Sequence, residues 1–315
     1  MPGPTIVGTG QALDLFNTMY GEFELLNDVL GVAKKTATHY TLKPQEGPTK
    51  HIMNYGRVQA FGLSDGVDYG QAQALSDADT TASPGEVGVL IILAGRSISR
   101  SPDADLAKRA GRIAARALDL KQDTDGVTQL ASFTSTALGA AGTVGAPGLF
   151  HAGAARMGFG SNRSNPEPAP EPWYVIHHDN ALSAVAGKII PFATTPSGTT
   201  LYDGTNGNSP ATGSRNPMSD DIMKMGVQAL GRLGNATIYR DANLIPDSLD
   251  DVTGAFFSKE GLIYVEEVAA TMDFDQPKRL RGGMEVMTFA SYAWTNYRPA
   301  NYGIPFTLDA TTPTG

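Results

Sequence analysis

The sequence predicts an α+β fold, in which long strands pack against one long helix. Residues 101–121 have the capping and periodicity of a helix, residues 51–63 and 86–98 are two extended segments, and residues 284–297 alternate as one long strand. Strands that follow such a helix late in the sequence are expected to pack on it. The chain has 315 residues, enough for one large domain or two smaller ones.

The first predicted element is an amphipathic helix over residues 11–32. Its apolar residues recur mostly at spacings of three and four, and they are Leu13, Phe16, Met19, Tyr20, Phe23, Leu26, Val29 and Leu30. The residues from Met1 onward lack the basic start and apolar core of a secretory signal. The longest strongly apolar run, Val87 to Ala94, is far shorter than the ~20 residues that span a bilayer. We therefore expect cytoplasmic synthesis and no membrane helix.

The next predicted element is a long projecting hairpin, in which residues 51–63 pair with residues 86–98. The stretch between these segments is poor in bulky apolar side chains and cannot form a core of its own. No Lys or Arg occurs between Arg57 and Arg96, and the acidic residues of this hairpin are Asp65, Asp68, Asp77, Asp79 and Glu86. A segment of this length without a core is expected to lie on another surface.

The long helix is predicted to begin after Ser101, a favourable N-cap, with Pro102 at its first position. Its predicted apolar stripe consists of Leu106, Ala110, Ile113, Ala117 and Leu120. The basic residues of this segment that could contact another subunit are Arg100, Lys108, Arg109, Arg112 and Arg116. Two interpretations stay open. In the first, the acidic hairpin and the basic helix are unrelated solvated surfaces. In the second, the hairpin of one subunit crosses the helix of a neighbour.

The rest of the chain is predicted to alternate between loops and short elements. Residues 139–172 are rich in Gly and Pro and are interpreted as a connector, and residues 191–217 as a loop. The other predicted elements are strands at 173–178, 236–240, 255–257, 262–267 and 284–297, and helices at 180–188 and 220–233.

Composition and motifs exclude several function classes. The chain has no Cys, which removes disulfides, thiolate metal sites and Cys nucleophiles, and its net charge of −8 opposes general binding to nucleic acid. Charged residues make up only 18%, which indicates either surfaces that become buried on assembly or simply a Gly-rich surface. His177, His178 and Asp179 are the most enzyme-like group, but no further ligand or nucleophile lies at a suitable spacing. No cofactor, metal or catalytic residue is predicted.

Five stretches of the sequence carry a resemblance to a known family. They are Leu106 to Asp119, Gly231 to Pro246, the pair Gly254 to Leu262 and Gly282 to Ala293, and Asn301 to Pro305. In this order they resemble the spine helix, an axial-domain passage, the closing strands and the exit of the major capsid proteins of tailed bacteriophages. These proteins have the Hong Kong 97-like capsid fold.

The resemblance implies a division of the chain into six parts. These are an N-terminal arm (1–33), an extended β-hairpin loop (34–100), a peripheral domain with the spine helix (101–140), an axial domain (141–267) with an insertion loop (191–217), peripheral-domain strands (268–299) and a C-terminal segment (300–315).

The resemblance also implies a structural function without catalysis. The expected function is self-assembly, through hexamers and pentamers, into an icosahedral shell that encloses the double-stranded DNA of a tailed phage. The expected location is the virion, with assembly in the host cytoplasm, and the expected further partners are scaffold, portal and cement proteins. The alternatives are a cytoplasmic α/β enzyme centred on His177, His178 and Asp179, and a bacterial encapsulin-type shell protein.

Overall fold

A computed structural model of the chain describes residues 17–20, 31–55, 77–93, 106–160, 167–188, 229–233, 235–275 and 284–312. The helices are α1 (Val32–Thr36), α2 (Leu106–Leu130), α3 (Pro147–Phe159) and α4 (Asp179–Lys188), and residues 17–20 are also helical. The strands are β1 (Thr38–Thr41), β2 (Lys50–Tyr55), β3 (Asp77–Ala82), β4 (Gly85–Leu93), β5 (Leu138–Gly139), β6 (Trp173–His177), β7 (Ala229–Leu233), β8 (Ala236–Arg240), β9 (Asp251–Ser258), β10 (Leu262–Asp275), β11 (Met284–Asn296) and β12 (Gly303–Asp309). This mixture of helices and sheets confirms the predicted α+β class.

Two sheets and a hairpin contain these strands. The first sheet has the order β1-β10-β11-β4, in which β1 is parallel to β10 and the other pairs are antiparallel. The second has the order β5-β12-β9-β6-β8-β7 and is also mixed. The hairpin consists of β2 and β3. The long helix α2 packs on β4 and β11 of the first sheet and touches β9 of the second, so it connects the two parts of the fold.

The helix α2 is present as predicted, but it buries a different face. Ala110, Ala114, Ala115 and Leu118 are buried, whereas Ile113 and Leu120 of the predicted stripe are 63% and 53% exposed. The predicted stripe is therefore wrong at Ile113 and Leu120, whereas Ala110 is buried as predicted. Alanines occur on several sides of this helix, so they do not mark one buried face. The predicted stripe therefore depended mainly on the positions of Ile113 and Leu120. Close packing on a sheet instead selects the face with the smallest side chains.

The strand pairing predicted for the hairpin is also wrong. Residues 50–55 pair with residues 77–82, whereas β4 pairs along its whole length with β11. Pro84 lies between β3 and β4, where it has no N–H for a continuing ladder. Val87 and Ile91 of β4 then pack against the main core, which they could not reach from a projecting hairpin.

The second sheet packs with helix α3, which lies within the predicted connector over residues 139–172 and corrects that prediction. Pro147 occupies the first turn of this helix, and Phe150, Gly153 and Met157 form its buried face. Phe150 meets Phe306 edge to face, with ring centroids 5.3 Å apart. The spacing of three and four is present in the sequence, but the small residues around it concealed the pattern.

The last third of the chain largely matches the prediction. The predicted strands at 236–240, 255–257, 262–267 and 284–297 correspond to β8, β9, β10 and β11. Residues 229–233 form strand β7, antiparallel to β8, so the helix predicted over 220–233 is wrong for these five residues. Residues 220–228 and the loop 191–217 lie outside the described residues.

Candidate subunit-contact surfaces

Within the most enzyme-like group of the sequence, His177 is part of the protein core. His177 ends β6 and is fully buried. Its Nε2 lies 3.0 Å from the carbonyl oxygen of Phe306, to which it donates, and its Nδ1 accepts from the amide of His178 at 2.9 Å. Burial lowers the pKa of His177 to about 4. Because both ring nitrogens are engaged, neither is available as a base or a metal ligand.

The two neighbours of His177 also have structural contacts. The Nδ1 of His178 accepts from the amide of Asn180 at 3.2 Å, at the first turn of α4. Asp179 lies 3.5 Å from a guanidinium nitrogen of Arg240, and both side chains are largely exposed. Within the described part of the chain, no group of three or more His, Asp or Glu side chains is arranged to hold a metal ion. In that same part, no helix is long and apolar enough to cross a membrane.

The predicted acidic residues that the structure describes lie on β3 and β4. Asp77 and Asp79 are exposed on the outward face of the hairpin, and the Asp79 carboxylate accepts a hydrogen bond from the imidazole of His51. Glu86 is exposed near the start of β4, opposite Ser291 of β11. Asp65 and Asp68 lie outside the described residues.

The predicted basic residues that the structure describes form one surface of α2. Lys108, Arg109, Arg112 and Arg116 are exposed there. Ile113 and Leu120 lie seven residues apart and are also exposed on this helix. The outer surface of α2 is therefore both basic and apolar. Arg100 lies outside the described residues.

The acidic hairpin and the basic helix pack on opposite faces of the four-stranded sheet. Along β10, Ile263 and Val265 point toward the hairpin and form a small core with Ile52 and Ala82. The intervening Tyr264 points the other way and belongs to the main core beneath α2. Alternate residues of a strand face opposite sides of a sheet. The sheet thus separates the described part of the hairpin from α2 of the same chain.

A surface that sequence reasoning missed lies on the hairpin side of the sheet. Leu90 and Ile92 of β4 are 58% and 53% exposed, and Met287 of β11, paired with Leu90, is 50% exposed. The signal was present in the sequence, because the run Val87 to Leu93 has apolar side chains on both faces of its strand.

Arg298 binds the β2–β3 hairpin to the rest of the described protein. Its guanidinium group donates to the side-chain oxygen of Asn54 and to the carbonyl oxygen of Tyr55, and it forms an ion pair with Glu167. The ring of Tyr302 lies 5.4 Å from the guanidinium carbon. This single side chain therefore joins the end of β2 to the segment before β6.

Comparisons with known proteins give a consistent fold but no relative by sequence. No family model matches the chain, and no curated protein matches it. Among solved structures, the capsid of Ralstonia phage GP4 matches with a TM-score of 0.63 and 13% identity, over 89% of this chain and 88% of that chain.

Two further structures match over similar lengths. The capsid structure of the cyanophage P-SCSP1u has a TM-score of 0.61 and 12% identity, over 88% of each chain. A structure titled Mycobacterium phage Che8 has a TM-score of 0.58 and 15% identity, over 90% of this chain and 93% of that chain. At these identities the likeness shows the fold. It confirms the Hong Kong 97-like capsid fold that the sequence resemblance predicted.

Proposed function

We propose that this chain is the major capsid protein of a tailed bacteriophage and that it assembles into an icosahedral shell around double-stranded DNA. One observation carries the proposal: the structural likeness to phage capsid chains covers nearly the full length of both chains. A likeness of this extent is not limited to a shared core motif.

The surface of the protomer supports assembly. Large apolar side chains are exposed on two sides of the first sheet, at Ile113 and Leu120 of α2 and at Leu90, Ile92 and Met287. Clustered exposed apolar residues are typical of surfaces that contact another protein. A closed shell repeats the same heterologous contacts around each subunit, so both surfaces are expected to become buried.

We further propose that the acidic hairpin of one subunit contacts the basic surface of α2 in a neighbour. The acidic group consists of Asp65, Asp68, Asp77, Asp79 and Glu86, and the basic group of Arg100, Lys108, Arg109, Arg112 and Arg116. The position of the sheet between hairpin and helix supports a contact between copies over one within a copy. Opposite charges at such a contact would set its register and its rate of formation.

The remaining parts of the proposal follow from the capsid role. The six-part division made from the sequence stays a prediction, and within it β4, assigned to the extended loop, pairs with β11 of the peripheral strands. Hexamers and pentamers of the chain, scaffold, portal and cement proteins, assembly in the host cytoplasm and location in the virion all belong to this proposal. The net charge of −8 suits a container that encloses DNA with little attraction for it.

Electron microscopy of the purified full-length chain tests the proposed function. The expected result is hollow shells or shell fragments of uniform curvature, formed as the protein concentration rises. A folded protein that stays a monomer or dimer at every concentration, with or without a crowding agent, would contradict the proposal. Nucleic acid recovered from shells that form in a phage-producing host distinguishes a phage capsid from a shell that carries protein cargo.

A further inference from the structure

The loop between β8 and β9 displays two large apolar side chains to solvent. Ile245 is 80% exposed and Leu249 is 75% exposed, the highest values among the large apolar residues that the structure describes. Neither belongs to the exposed apolar groups on the first sheet. Single exposed apolar residues are common, but two large ones within five residues of one loop indicate a surface that contacts another protein.

Hydrogen bonds hold this loop in a defined conformation. The Oδ1 of Asp247 accepts from the amide of Leu249 at 2.8 Å and from the amide of Asp251 at 3.0 Å. The amide of Asp247 donates to the carbonyl oxygen of Asp251 at 2.9 Å, and the carbonyl oxygen of Asp250 accepts from the amide of Ala310 at 2.7 Å. A loop that is ordered before binding loses little further entropy when it binds. The apolar side chains of the loop are therefore preorganised for a contact.

A cavity of about 410 Å³ lies between helix α3, the segment that follows α2 and the start of β12. Its apolar lining includes Ala155 and Phe159 of α3 and Ile304 of β12. Phe159 is 49% exposed, so this lining is accessible from solvent. Cavities of roughly 300–1,000 Å³ enclose small organic ligands. This cavity is therefore large enough to receive aliphatic side chains from another protein.

The loop and the cavity lie at opposite ends of strand β12. Ile304 is the second residue of this strand, whereas Ala310 directly follows its last residue and donates to Asp250 of the loop. At about 3.3 Å per residue, roughly 20 Å separate Ile304 from Ala310. The loop therefore cannot fill the cavity of its own chain. Two different surfaces of one chain that fit each other make head-to-tail contacts, which repeat from copy to copy.

The charges of the loop and the cavity are opposite. Asp247 and Asp250 of the loop are exposed, and Arg156 lines the cavity. The Nη1 of Arg156 donates to the carbonyl oxygens of Thr136 at 3.0 Å and Ala137 at 3.3 Å, which holds the guanidinium group at the cavity. A guanidinium group has five N–H donors, more than these two hydrogen bonds use, so Arg156 can also bind a carboxylate.

An acidic side chain beside the cavity is already paired within the chain. Glu167 accepts from the side-chain amide of Asn301, which lines the cavity, at 2.8 Å. It also forms an ion pair with Arg298. Because the charge of Glu167 is compensated, the cavity stays favourable for an acidic partner.

We propose that the β8–β9 loop of one copy of this chain inserts Ile245 and Leu249 into the cavity of the next copy, where Arg156 binds the acidic side chains of the loop. Each copy offers its loop to one neighbour and its cavity to another. Burial of the two apolar side chains drives the contact, and the charges orient it. The contact rests on the proposed assembly of the chain and is separate from the contact proposed between the hairpin and α2.

Disulfide crosslinking tests this contact, because the chain has no Cys of its own. Two full-length proteins carry one Cys each, Ser248→Cys in the loop and Thr136→Cys at the cavity, both at exposed positions. The two proteins are mixed and treated with oxidised glutathione. They should form a disulfide-linked dimer with one copy of each, which non-reducing electrophoresis and mass spectrometry of the linked peptides identify.

The matched control pairs Ser248→Cys with Ala140→Cys. Ala140 is also exposed, but its amide donates to Thr143, whose carbonyl oxygen accepts from Asp309 at the far end of β12 from the cavity. The dimer between the loop and cavity variants should form at least about tenfold faster than the control dimer. A contact between two loops would instead favour the control pair.

Two changes in the loop separate the apolar and charged parts of the contact. Ile245→Ser with Leu249→Ser, added to Ser248→Cys, should slow crosslinking to Thr136→Cys by about tenfold or more. Asp250→Asn should slow it about threefold at low salt and leave it unchanged at high salt. Asp250 has a φ of 61°, a left-handed conformation that Asn also adopts, so this change removes the charge without adding strain.

Two results would overturn the proposal. One is a loop–cavity pair that crosslinks no faster than the control pair, which leaves Ile245 and Leu249 intact and so remains decisive if their serine variant does not fold. The other is an unchanged crosslinking rate in a folded serine variant.

Failure of this contact is distinguishable from failure of the proposed function. Shells of the wild-type chain in electron micrographs, together with a loop–cavity pair that does not crosslink, would leave the capsid function standing and reject the contact. If the wild type forms no shells, the function fails, and the crosslinking rates of the mixed proteins still decide whether two copies meet in this way.

Discussion

Gly126 of α2 lies against the indole ring of Trp294. A Cβ built on this glycine would come within 2.8 Å of the ring and within 2.6 Å of the Cβ of Ala33. A glycine inside a helix normally costs about 1 kcal/mol relative to alanine. Here it allows α1 and β11 to approach the helix more closely than any side chain would permit.

Gly126→Ala is therefore expected to destabilise the protein although alanine favours helices. The added methyl group forces Trp294 or α1 to move, which typically costs about 1–3 kcal/mol. Urea unfolding followed by tryptophan fluorescence measures the change. Gly158→Ala in α3 is the control, because its Cβ would meet only ordinary contact with Trp173 at 3.6 Å. Equal stability of the two variants would contradict this account.

Reversal of charge on α2 is expected to impair assembly and leave the protomer folded. Arg109 and Arg112 are exposed, so Arg109→Glu with Arg112→Glu should raise the concentration needed for assembly by about tenfold or more through like-charge repulsion. Light scattering and sedimentation measure assembly, and circular dichroism measures folding.

Two further variants make this charge-reversal test specific. Adding Asp77→Lys and Asp79→Lys should restore assembly if the hairpin is the partner of α2. Arg232→Glu, an exposed charge on β7, serves as the control. Assembly of the doubly reversed α2 variant at the wild-type concentration would count against the proposed contact.

Acid destabilisation should be partly due to His177. Its pKa is about 4 in the folded protein against an ordinary value of 6.5. The unfolded chain therefore binds the proton first as pH falls. The contribution of His177 to stability is full above its ordinary pKa and is lost as pH falls from there to about 4, by up to roughly 3 kcal/mol.

The His177→Gln variant isolates this contribution. Glutamine has no titrating group and can still donate to the carbonyl of Phe306. The free energy of unfolding of the variant should fall less steeply than that of the wild type over this pH range, although the variant is less stable at neutral pH. Parallel pH dependences would show that His177 does not titrate on unfolding.

Loss of Arg298 should release the hairpin from the body. The guanidinium group holds Asn54, Tyr55 and Glu167, and hydrogen bonds to charged groups contribute about 1.5–3 kcal/mol each. In Arg298→Ala, exchange of amide hydrogens in β2 and β3 should speed up about tenfold or more, with β9 and β12 unchanged.

Arg240→Ala removes another arginine, whose ion pair with Asp179 is exposed, and should leave the hairpin as it is. Faster exchange throughout the molecule in Arg298→Ala would indicate global destabilisation rather than release of the hairpin.

Local features of the sequence predicted most individual elements. β8 has the predicted boundaries, the long helix includes the predicted residues 106–121 and continues to Leu130, and the turn between β9 and β10 lies where predicted. These features depend on capping, alternation and turn residues, which act over a few neighbouring positions. Helix α3 was missed because only Phe150 and Met157 mark its buried face with large apolar side chains.

The candidate contact residues were predicted by type but not by arrangement. Asp77, Asp79 and Glu86 appeared to belong to one hairpin, yet Glu86 lies on β4 in the main sheet. Which strand β4 joins depends on the core that Val87 and Ile91 can reach, and this core is built from residues distant in sequence. The sequence likewise predicts that Ile113 and Leu120 belong to the core, because the face of α2 that becomes buried also depends on residues distant in sequence.

The sequence by itself determined the α+β class, the long basic helix, the acidic character of the hairpin and the lack of any motif for catalysis. Only the tertiary structure decided which face of α2 is buried, which strands pair, and that a sheet separates the acidic and basic surfaces. It also decided that His177 is enclosed. The physical reason is the separation along the sequence over which each interaction acts. Helix and strand propensities act between neighbouring residues, whereas burial, pairing and shifted pKa values depend on groups brought together by the whole fold.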